Sequence, residues 1–385
     1  MNLKFPSNNK YVALAPGRVN LLGEHVDYNE GLVLPAAIDR KVKLSFQLID
    51  EPVIHLQALD LNQTVSISIK HLDDQCDTDG HPLPAFARYP AAVAWALQQA
   101  GLEVRGVQAE YTSTVPIAAG LSSSAAVEVA FAISWQALGG WTIPRMQLAE
   151  LCQFAENEYV GVQSGLMDQF ASLFGVESHV LYFDTRSLDW EPIALPKDTV
   201  IIIADSKIRR TLAGSVYNER RRACQQALDI LKSHLPQIKA LRDVHPDDFN
   251  QYAHYLPPVA RKRAQHVVEE CKRVELASNY LKQSNTLAFG QLMFDCHKSL
   301  RDLYEVSCPE LDSLVEIARQ QPGCLGARLT GAGFGGCTVN LVKEEYVNDF
   351  ITRLSGEYTA KTGKYAQIYP CYAAAGAAVE CSDPL

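Results

Sequence analysis

The stretch VPIAAGLSSSAA, residues 115–126, is the most informative short segment for predicting the fold and function of this chain. Small residues around Gly120 bring backbone N–H groups close together, and the turn leads into an Ala-rich helix predicted over 122–138. The first N–H groups of a helix and its positive dipole end favour an anion, and serines there suit the N-cap. We therefore predict a phosphate-binding loop, although a Ser-capped turn without a ligand explains the stretch equally well. The common phosphate loop GxxxxGK(S/T) does not occur in the chain.

Runs of Val, Ile and Leu on both sides of this loop predict a mixed sheet with helices. Strands are expected at 11–15, 32–38, 41–49, 64–69, 107–115, 180–185, 199–205, 337–342 and 365–371. Helical spacing of apolar residues marks 86–100 and 145–159, and Arg- and Lys-rich helices are expected between 215 and 320. The predicted class is α/β, of the α+β type.

The length of 385 residues suggests two domains, at roughly 150 residues or more in each. The Pro-containing turn EPIALPKD, residues 191–198, separates two predicted strands. We therefore predict an N-terminal domain over 1–190 and a C-terminal domain over 191–385.

Composition excludes several classes of protein. A formal net charge of −9 and a pI of about 5.6 argue against a nucleic-acid partner. The chain has neither a secretory leader nor an apolar stretch of about 18 residues, so we expect a cytoplasmic protein with no membrane contact. Its ten cysteines form no CxxC pair, and HExxH is missing, which predicts reduced thiols and no zinc site.

The stretch GAGFGG, residues 331–336, matches the dinucleotide pattern GxGxxG. In a dinucleotide-binding fold this pattern follows a strand and opens a helix. Here it precedes CTVNLV, which alternates like a strand. The glycines therefore predict a tight turn that another backbone or a ligand approaches closely.

Three stretches in order carry a specific resemblance: PGRVNLLGEHVDYNEGLVLP at 16–35, PIAAGLSSSAA at 116–126 and RLTGAGFGGC at 328–337. Together they resemble the GHMP kinases, and the first is similar to the signature of the members that phosphorylate galactose. SGLMDQFASLFG at 164–175 and HKSLRDLYEVSCPELD at 297–312 are similar to segments of the same members. The resemblance covers the chain from residue 11 to about residue 340.

This resemblance implies a two-domain α/β GHMP kinase fold with the active site in the cleft between the domains. It also implies binding of galactose and ATP and, with Mg²⁺, transfer of the γ-phosphoryl group to the anomeric hydroxyl, giving galactose 1-phosphate. Separately, we expect a monomer. Position by position, the implied roles are catalysis at Asp168 and Arg18, Mg²⁺ binding at Ser124 and Glu156, galactose binding at Glu24, His25, Val26, Asp27, Gly165 and Tyr217, and binding of the ATP phosphates at Ala118, Ala119, Gly120, Leu121, Ser122, Ser123 and Ser124.

The residue types suit these roles independently of the resemblance. Asp168 lies at the start of a short predicted helix but not on its apolar side. Its carboxylate is therefore expected to point away from the core. An arginine beside that carboxylate offsets charge during phosphoryl transfer, and hydroxyl and carboxylate oxygens suit Mg²⁺. The charged set EHVD, residues 24–27, suits a pocket that binds sugar hydroxyls. Taken alone, the same residues also fit a helix-start Asp, a surface Arg and a charged hairpin tip.

Two positions depart from the family pattern, and other functions remain open. Val26 stands where relatives commonly have Thr, and Ala119 stands where many have Gly. Alternatives are a sugar sensor of the same fold without catalysis and a kinase for N-acetylgalactosamine, mevalonate or homoserine. The Arg-rich stretch 209–226 is interpreted as a solvated helix face rather than as a nucleotide or partner surface.

Overall fold

The computed structural model describes residues 10–116, 119–209 and 213–381, in which the chain forms thirteen strands and ten α-helices. The strands are β1 Tyr11–Asn20, β2 Leu32–Val33, β3 Pro35–Leu48, β4 Val53–Ala58, β5 Gln63–Ser68, β6 Val107–Ser113, β7 His179–Asp184, β8 Trp190–Ala194, β9 Thr199–Asp205, β10 Cys324–Thr330, β11 Cys337–Lys343, β12 Gln367–Cys371 and β13 Ala378–Cys381. The helices are α1 Ala85–Gln99, α2 Ser123–Gly139, α3 Arg145–Phe154, α4 Met167–Phe174, α5 Ala213–Lys232, α6 Pro246–Tyr252, α7 Pro258–Lys282, α8 Thr286–Ser299, α9 Pro309–Gln320 and α10 Val347–Thr362.

These strands form three sheets, and together with the helices they confirm the predicted α/β class. A six-stranded sheet has the order β13-β1-β3-β6-β4-β5, and β4 and β6 form its parallel pair. A four-stranded antiparallel sheet has the order β10-β11-β9-β12, and a small sheet has the order β2-β7-β8. Strand β13 pairs with β1, so the last described strand lies in the same sheet as the first.

The continuous apolar run of β9 is explained by burial on both of its faces. Ile201 and Ile203 belong to the main core, whereas Val200, Ile202 and Ala204 pack in a second core with side chains of α9 and α10. A strand covered on both faces needs no polar residue in alternation. The predicted strand at 199–205 therefore coincides with β9.

Two strand predictions near the domain change and the N-terminus need correction. The strands predicted at 32–38 and 41–49 are largely one long strand, β3, which follows the two-residue β2. The predicted turn at 191–198 begins with β8, which includes Pro192. Proline is tolerated there because β8 lies at the edge of its sheet.

All ten cysteines are free thiols, and six of them are buried. Among the described residues, no helix has both the length and the apolar character needed to cross a membrane.

Candidate active site

A cavity of about 430 Å³ brings together segments from both halves of the chain. Eleven of the residues singled out in the sequence line it: Arg18, Glu24, His25, Asp27, Gly120, Ser122, Ser123, Ser124, Glu156, Asp168 and Tyr217. Gly331 and Ala332 of the glycine-rich turn complete one wall. A cavity of this size, with a few convergent polar groups, is typical of a small-molecule site.

Arg18 and Asp168 form a partly buried ion pair in this cavity. A β-bulge between Pro16 and Arg18 interrupts the pairing of β1 with β3, and such bulges re-aim side chains beside active sites. The Arg18 guanidinium donates to both oxygens of Asp168, with Nε–Oδ1 and Nη2–Oδ2 distances of 2.8 and 3.0 Å. Burial disfavours the charged guanidinium, but the Asp168 and Glu24 carboxylates outweigh this effect and raise the pKa of Arg18.

Helix α4 explains why Asp168 faces the cavity. The helix begins at Met167, and Met167, Phe170 and Ala171 are buried, as the predicted apolar side requires. Asp168 is the second residue of this helix, and its side chain is 24% exposed.

Ser122 connects the phosphate loop to the ion pair. It has a left-handed φ of 55°, and its hydroxyl donates to Asp168 Oδ2 at 2.5 Å. Ser122 occupies the N-cap position of α2, as predicted for the serines of this stretch, but its hydroxyl makes no capping hydrogen bond. A hydrogen bond to a carboxylate is stronger than one to a neutral backbone group, which explains the difference.

The glycine-rich turn at 331–336 packs directly against the phosphate loop. It connects β10 to β11, as predicted, and does not open a helix. Gly331 has a φ of 80°, and a Cβ atom there would lie 2.7 Å from the carbonyl oxygen of Gly120. A Cβ atom at Gly333 would lie 2.1 Å from the carbonyl oxygen of Val306. These positions therefore require glycine because other backbone segments approach them closely.

Asp27 projects into the cavity next to Gly165. A Cβ atom at Gly165 would lie 2.1 Å from Asp27 Oδ2, so only glycine leaves room for this carboxylate. Burial raises the pKa of Asp27 to about 7, and repulsion by Asp168 and Glu24 acts in the same direction.

Glu156 is held on a π-helical turn, Ala155–Val160, that continues α3. Such turns are frequent at functional sites. Glu156 Oε2 accepts hydrogen bonds from the Ser164 hydroxyl and from Gln169 Nε2, the latter at 3.0 Å. Burial raises the pKa of Glu156 to about 7, although the bond from Ser164 opposes this shift.

The donor set of Ser124 and Glu156 fits a magnesium ion. Both side chains line the same cavity, and they provide one hydroxyl and one carboxylate. Mg²⁺ prefers oxygen ligands and keeps several positions for water and phosphate. A divalent cation would also favour the ionised form of a carboxyl group whose pKa burial has raised.

Three family profiles match the chain: the galactokinase galactose-binding signature over residues 3–47, the GHMP kinases N terminal domain over residues 88–176 and the GHMP kinases C terminal region over residues 278–360. A galactokinase of Roseiflexus sp. (strain RS-1) is 43% identical over 365 residues, which cover 95% of this chain and 92% of that protein. The galactokinase of Bacillus subtilis (strain 168) is 38% identical, with coverages of 92% and 90%. This chain belongs to the galactokinase family.

Solved structures agree with this assignment. The crystal structure of Lactococcus lactis galactokinase complexed with galactose has a TM-score of 0.92 and 32% identity, and covers 97% of this chain and 95% of that one. The mevalonate kinase of Methanococcus jannaschii has a TM-score of 0.67 at 20% identity, over 96% of this chain and 100% of that one, and shares the fold alone. The predicted GHMP kinase fold is confirmed.

Some residues that the galactokinase resemblance implies lie outside the cavity lining. Val26 is fully buried, and its carbonyl oxygen accepts the N–H of Gly31 at 2.8 Å. Ala119 and Leu121, in the phosphate loop itself, are also buried, at 0% and 1% exposure. Ala118 lies outside the described residues.

An aromatic cluster that the sequence analysis missed supports the galactose-signature loop. His25 Nδ1 lies 2.9 Å from the Tyr28 hydroxyl, which lies 2.7 Å from the Tyr304 hydroxyl. The Tyr304 hydroxyl is also 3.3 Å from Cys224 Sγ. The ring of Tyr217 lies beside these side chains, tilted by 43° from the ring of His25, with the two centroids 5.5 Å apart. The signal for Tyr28 was available, because it follows the charged residues of the signature directly.

A buried carboxyl group behind Glu156 was also missed. Gln169 Nε2 donates to Glu128 Oε2 at 2.8 Å as well as to Glu156. Glu128 is fully buried on α2, and burial raises its pKa well above the ordinary range. The apolar character of α2 on every side concealed this single acid.

The solvated face predicted for the Arg-rich stretch 209–226 is wrong for two of its residues. Arg220 Nε donates to the carbonyl oxygen of Tyr304 at 2.8 Å, and Arg221 Nη1 donates to that of Gln163 at 3.1 Å. Both guanidinium groups bind backbone carbonyls of segments distant in sequence, which the spacing of charges along one helix does not reveal.

We predict that Asp27→Asn stabilises the ligand-free protein at alkaline pH. The folded protein keeps a proton on Asp27 up to about pH 7, whereas the unfolded chain loses it near the ordinary value of 3.8. The wild-type free energy of unfolding therefore falls as the pH rises from about 4 to about 7, by about 2–4 kcal/mol from this group. Asn does not ionise, so residue 27 causes no such fall in the free energy of unfolding of Asp27→Asn.

Thermal unfolding of both proteins at about pH 5 and about pH 8.5 measures the effect. The stability difference should be small at the lower pH and favour Asp27→Asn at the higher one. Glu156, whose pKa is also about 7, contributes equally to both proteins and cancels in the comparison. The same difference in stability at both pH values would contradict a raised pKa for Asp27.

Proposed function

We propose that this galactokinase-family chain transfers the γ-phosphoryl group of ATP to the anomeric hydroxyl of galactose in the cavity described above. The products are galactose 1-phosphate and ADP. Family membership supports the reaction. The observation that carries the site is the bidentate pair of Arg18 and Asp168, which Ser122 connects to the phosphate loop.

In this proposal, Asp168 accepts the proton of the anomeric hydroxyl or orients that hydroxyl for attack. Its Oδ2 already accepts a hydroxyl hydrogen bond from Ser122, which supports a geometry suited to an alcohol donor. Arg18 holds the carboxylate at both oxygens and offsets negative charge on the transferring group. Phosphoryl transfer depends mainly on such positioning and charge stabilisation.

The nucleotide occupies the other side of the cavity. The backbone N–H groups of residues 120–124 and the N-terminus of α2 bind the phosphates. Ser124 and Glu156 would hold Mg²⁺, which neutralises phosphate charge when it is bound.

The signature loop binds the sugar. Glu24, His25 and Asp27 line the cavity together with Tyr217, and they offer acceptors and donors at fixed positions. Galactose presents several hydroxyls, each a donor and an acceptor, at fixed positions on its pyranose ring. Mevalonate and homoserine have no such ring. The polarity of this wall therefore favours a sugar.

Replacing Glu156 with Gln tests the metal assignment. The variant keeps the side-chain size but removes the charged ligand, so the Mg²⁺ concentration that gives half the maximal rate should rise by about tenfold or more. Glu158→Gln is the matched control, because Glu158 is an exposed residue of the same π-helical turn. Equal Mg²⁺ dependence of the two variants would contradict a metal at Glu156.

Product identification tests the reaction. The protein is incubated with Mg²⁺, ATP and galactose, and ³¹P NMR with proton coupling locates the new phosphate. Coupling to the anomeric proton supports the proposal. Phosphate on another carbon would point to a different sugar kinase, and galactose binding without product would point to a sensor. Cytoplasmic location, a monomeric state and the lack of a nucleic-acid partner stay predictions.

A further inference from the structure

Strand β10 carries a buried arginine that the proposed reaction does not use. Arg328 is 0% exposed, and its Nη2 donates to the carboxylate of Glu24, which lies 304 positions earlier in the chain. Its Nε donates to the carbonyl oxygen of Leu329 at 2.7 Å. Arg328 does not line the cavity, whereas Glu24 does. Among the described residues that line the cavity, Arg328 therefore hydrogen-bonds to Glu24 alone.

Other groups also hold or influence Glu24. The backbone N–H of Gly331 and the guanidinium of Arg18 lower the pKa of Glu24, whereas the Asp168 carboxylate raises it. His266 Nε2 lies 3.0 Å from the carbonyl oxygen of Glu24 and so holds its backbone. Arg328 is the cation that makes a direct hydrogen bond to this carboxylate among the described contacts.

The charge balance at Glu24 depends on Arg328. Burial raises the pKa of Glu24, and attraction by Arg328 is the largest influence that opposes this shift. From α7 and α8, Glu270 and Cys296 face Arg328, and Glu270 Oε1 accepts the N–H of Gly23 at 2.7 Å. A buried ion pair is weak evidence for a gain in stability, so its role is better sought in function.

We propose that Arg328 is a positioning residue for sugar recognition, which holds the Glu24 carboxylate facing the cavity and thereby sets the affinity for galactose. This inference rests on the proposed function. It assigns the RLTGAGFGG stretch a second role, because Arg328 acts on the sugar loop while Gly331 packs on the phosphate loop. Arg328 touches neither substrate and performs no chemical step.

Arg328→Met removes the charge and retains a long side chain. Calorimetry at neutral pH should show a galactose dissociation constant raised roughly 10- to 100-fold. In the same protein, kcat at saturating galactose and KM for ATP should stay within about threefold of wild type. Arg263→Met is the matched control, because Arg263 is 2% exposed and pairs with Glu305, which does not line the cavity. Its galactose affinity should be unchanged.

The pH dependence separates positioning from a purely structural role. Without Arg328, Glu24 binds a proton more readily, and raising the pH restores its charge. The ratio of the variant to the wild-type dissociation constant should therefore fall as the pH rises. Asp27, Arg18 and Asp168 are present in both proteins, so the ratio reports the change that the loss of Arg328 causes at Glu24 and at the groups that respond to its charge. A ratio that does not change with pH would overturn the proposal.

A double variant keeps the test decisive if Arg328→Met alone fails to fold. Glu24→Gln combined with Arg328→Met leaves no unpaired buried charge at this position. If Arg328 acts through Glu24, the double variant binds galactose as weakly as Glu24→Gln and no more weakly. Additive losses would overturn the inference. A wild-type protein that neither binds nor phosphorylates galactose would instead overturn the proposed function on which it rests.

Discussion

Replacing Asp168 with Asn is expected to lower kcat by about 10²- to 10⁴-fold while nucleotide binding stays within about threefold of wild type. Asn has the size of Asp, but it cannot accept the proton of the anomeric hydroxyl. It also provides Arg18 with one acceptor oxygen instead of the two that Asp168 offers. Steady-state kinetics with galactose and calorimetry with ATP measure the two effects separately.

Asp247→Asn is the matched control for this substitution. Asp247 is also the second residue of a short helix, α6, but its side chain is 89% exposed. Any general effect of losing an acid at a helix N-terminus is therefore reproduced there. Retention of more than about a tenth of the activity in Asp168→Asn would contradict the role assigned to this carboxylate.

The second large effect is expected from Arg18→Lys, which should lower kcat about 100-fold. The guanidinium makes two bonds to Asp168 and a third, at 2.7 Å, to the carbonyl oxygen of Gly120. A lysine ammonium keeps the charge but cannot hold this planar, three-point arrangement. The loss should appear in kcat more than in either KM, because the arrangement orients the reacting groups.

Arg186→Lys provides the comparison for Arg18→Lys. Arg186 also binds a carboxylate through two nitrogens, with Nη1–Oδ1 and Nη2–Oδ2 distances to Asp243 of 2.7 and 2.9 Å. It does not line the cavity, so its substitution should leave kcat unchanged. Kinetics of both variants, with folding checked by thermal unfolding, measure the difference. Similar kcat values for the two variants would show that the geometry at Arg18 is dispensable.

The parts of the site that lie in continuous motifs were predictable from sequence. Arg18, the phosphate loop and Asp168 each stand in a stretch whose residue types already indicate charge stabilisation or anion binding. In the structure, Asp168 hydrogen-bonds both to Arg18 and to Ser122 of the phosphate loop. Only the proximity of Arg18 and Asp168 was expected from the sequence. The bond from Ser122 to Asp168 was not foreseen, because it depends on a left-handed backbone conformation.

Residues that act through long-range contacts were not predictable. Arg328 meets Glu24 across 304 positions, and Tyr304 meets Tyr28 across 276. No local pattern relates such residues, since each lies in a stretch that is explained by its own strand or turn. Glu128 was missed for a local reason: a single acid among the apolar residues of α2 changes the hydrophobic pattern of the helix very little.

The fold shows the same division between local and long-range information. Strand β9 was predicted with its bounds because burial on both faces makes its residues uniformly apolar. Strand β8 was missed because it contains Pro192 and is mostly exposed. Strand β13 is formed by only four residues, mostly exposed, and exists because β1 is available to pair with it. Its pairing follows from topology rather than from local propensity.

The most direct test of this account is ADP release by the wild-type protein with Mg²⁺ and ATP across galactose, glucose, N-acetylgalactosamine, mevalonate and homoserine. We predict strong turnover with galactose and weak turnover with the other four, because the signature loop and the ion pair of Arg18 and Asp168 form one cavity. Folded protein that binds galactose but releases no ADP with any acceptor would contradict the account and favour a sugar sensor.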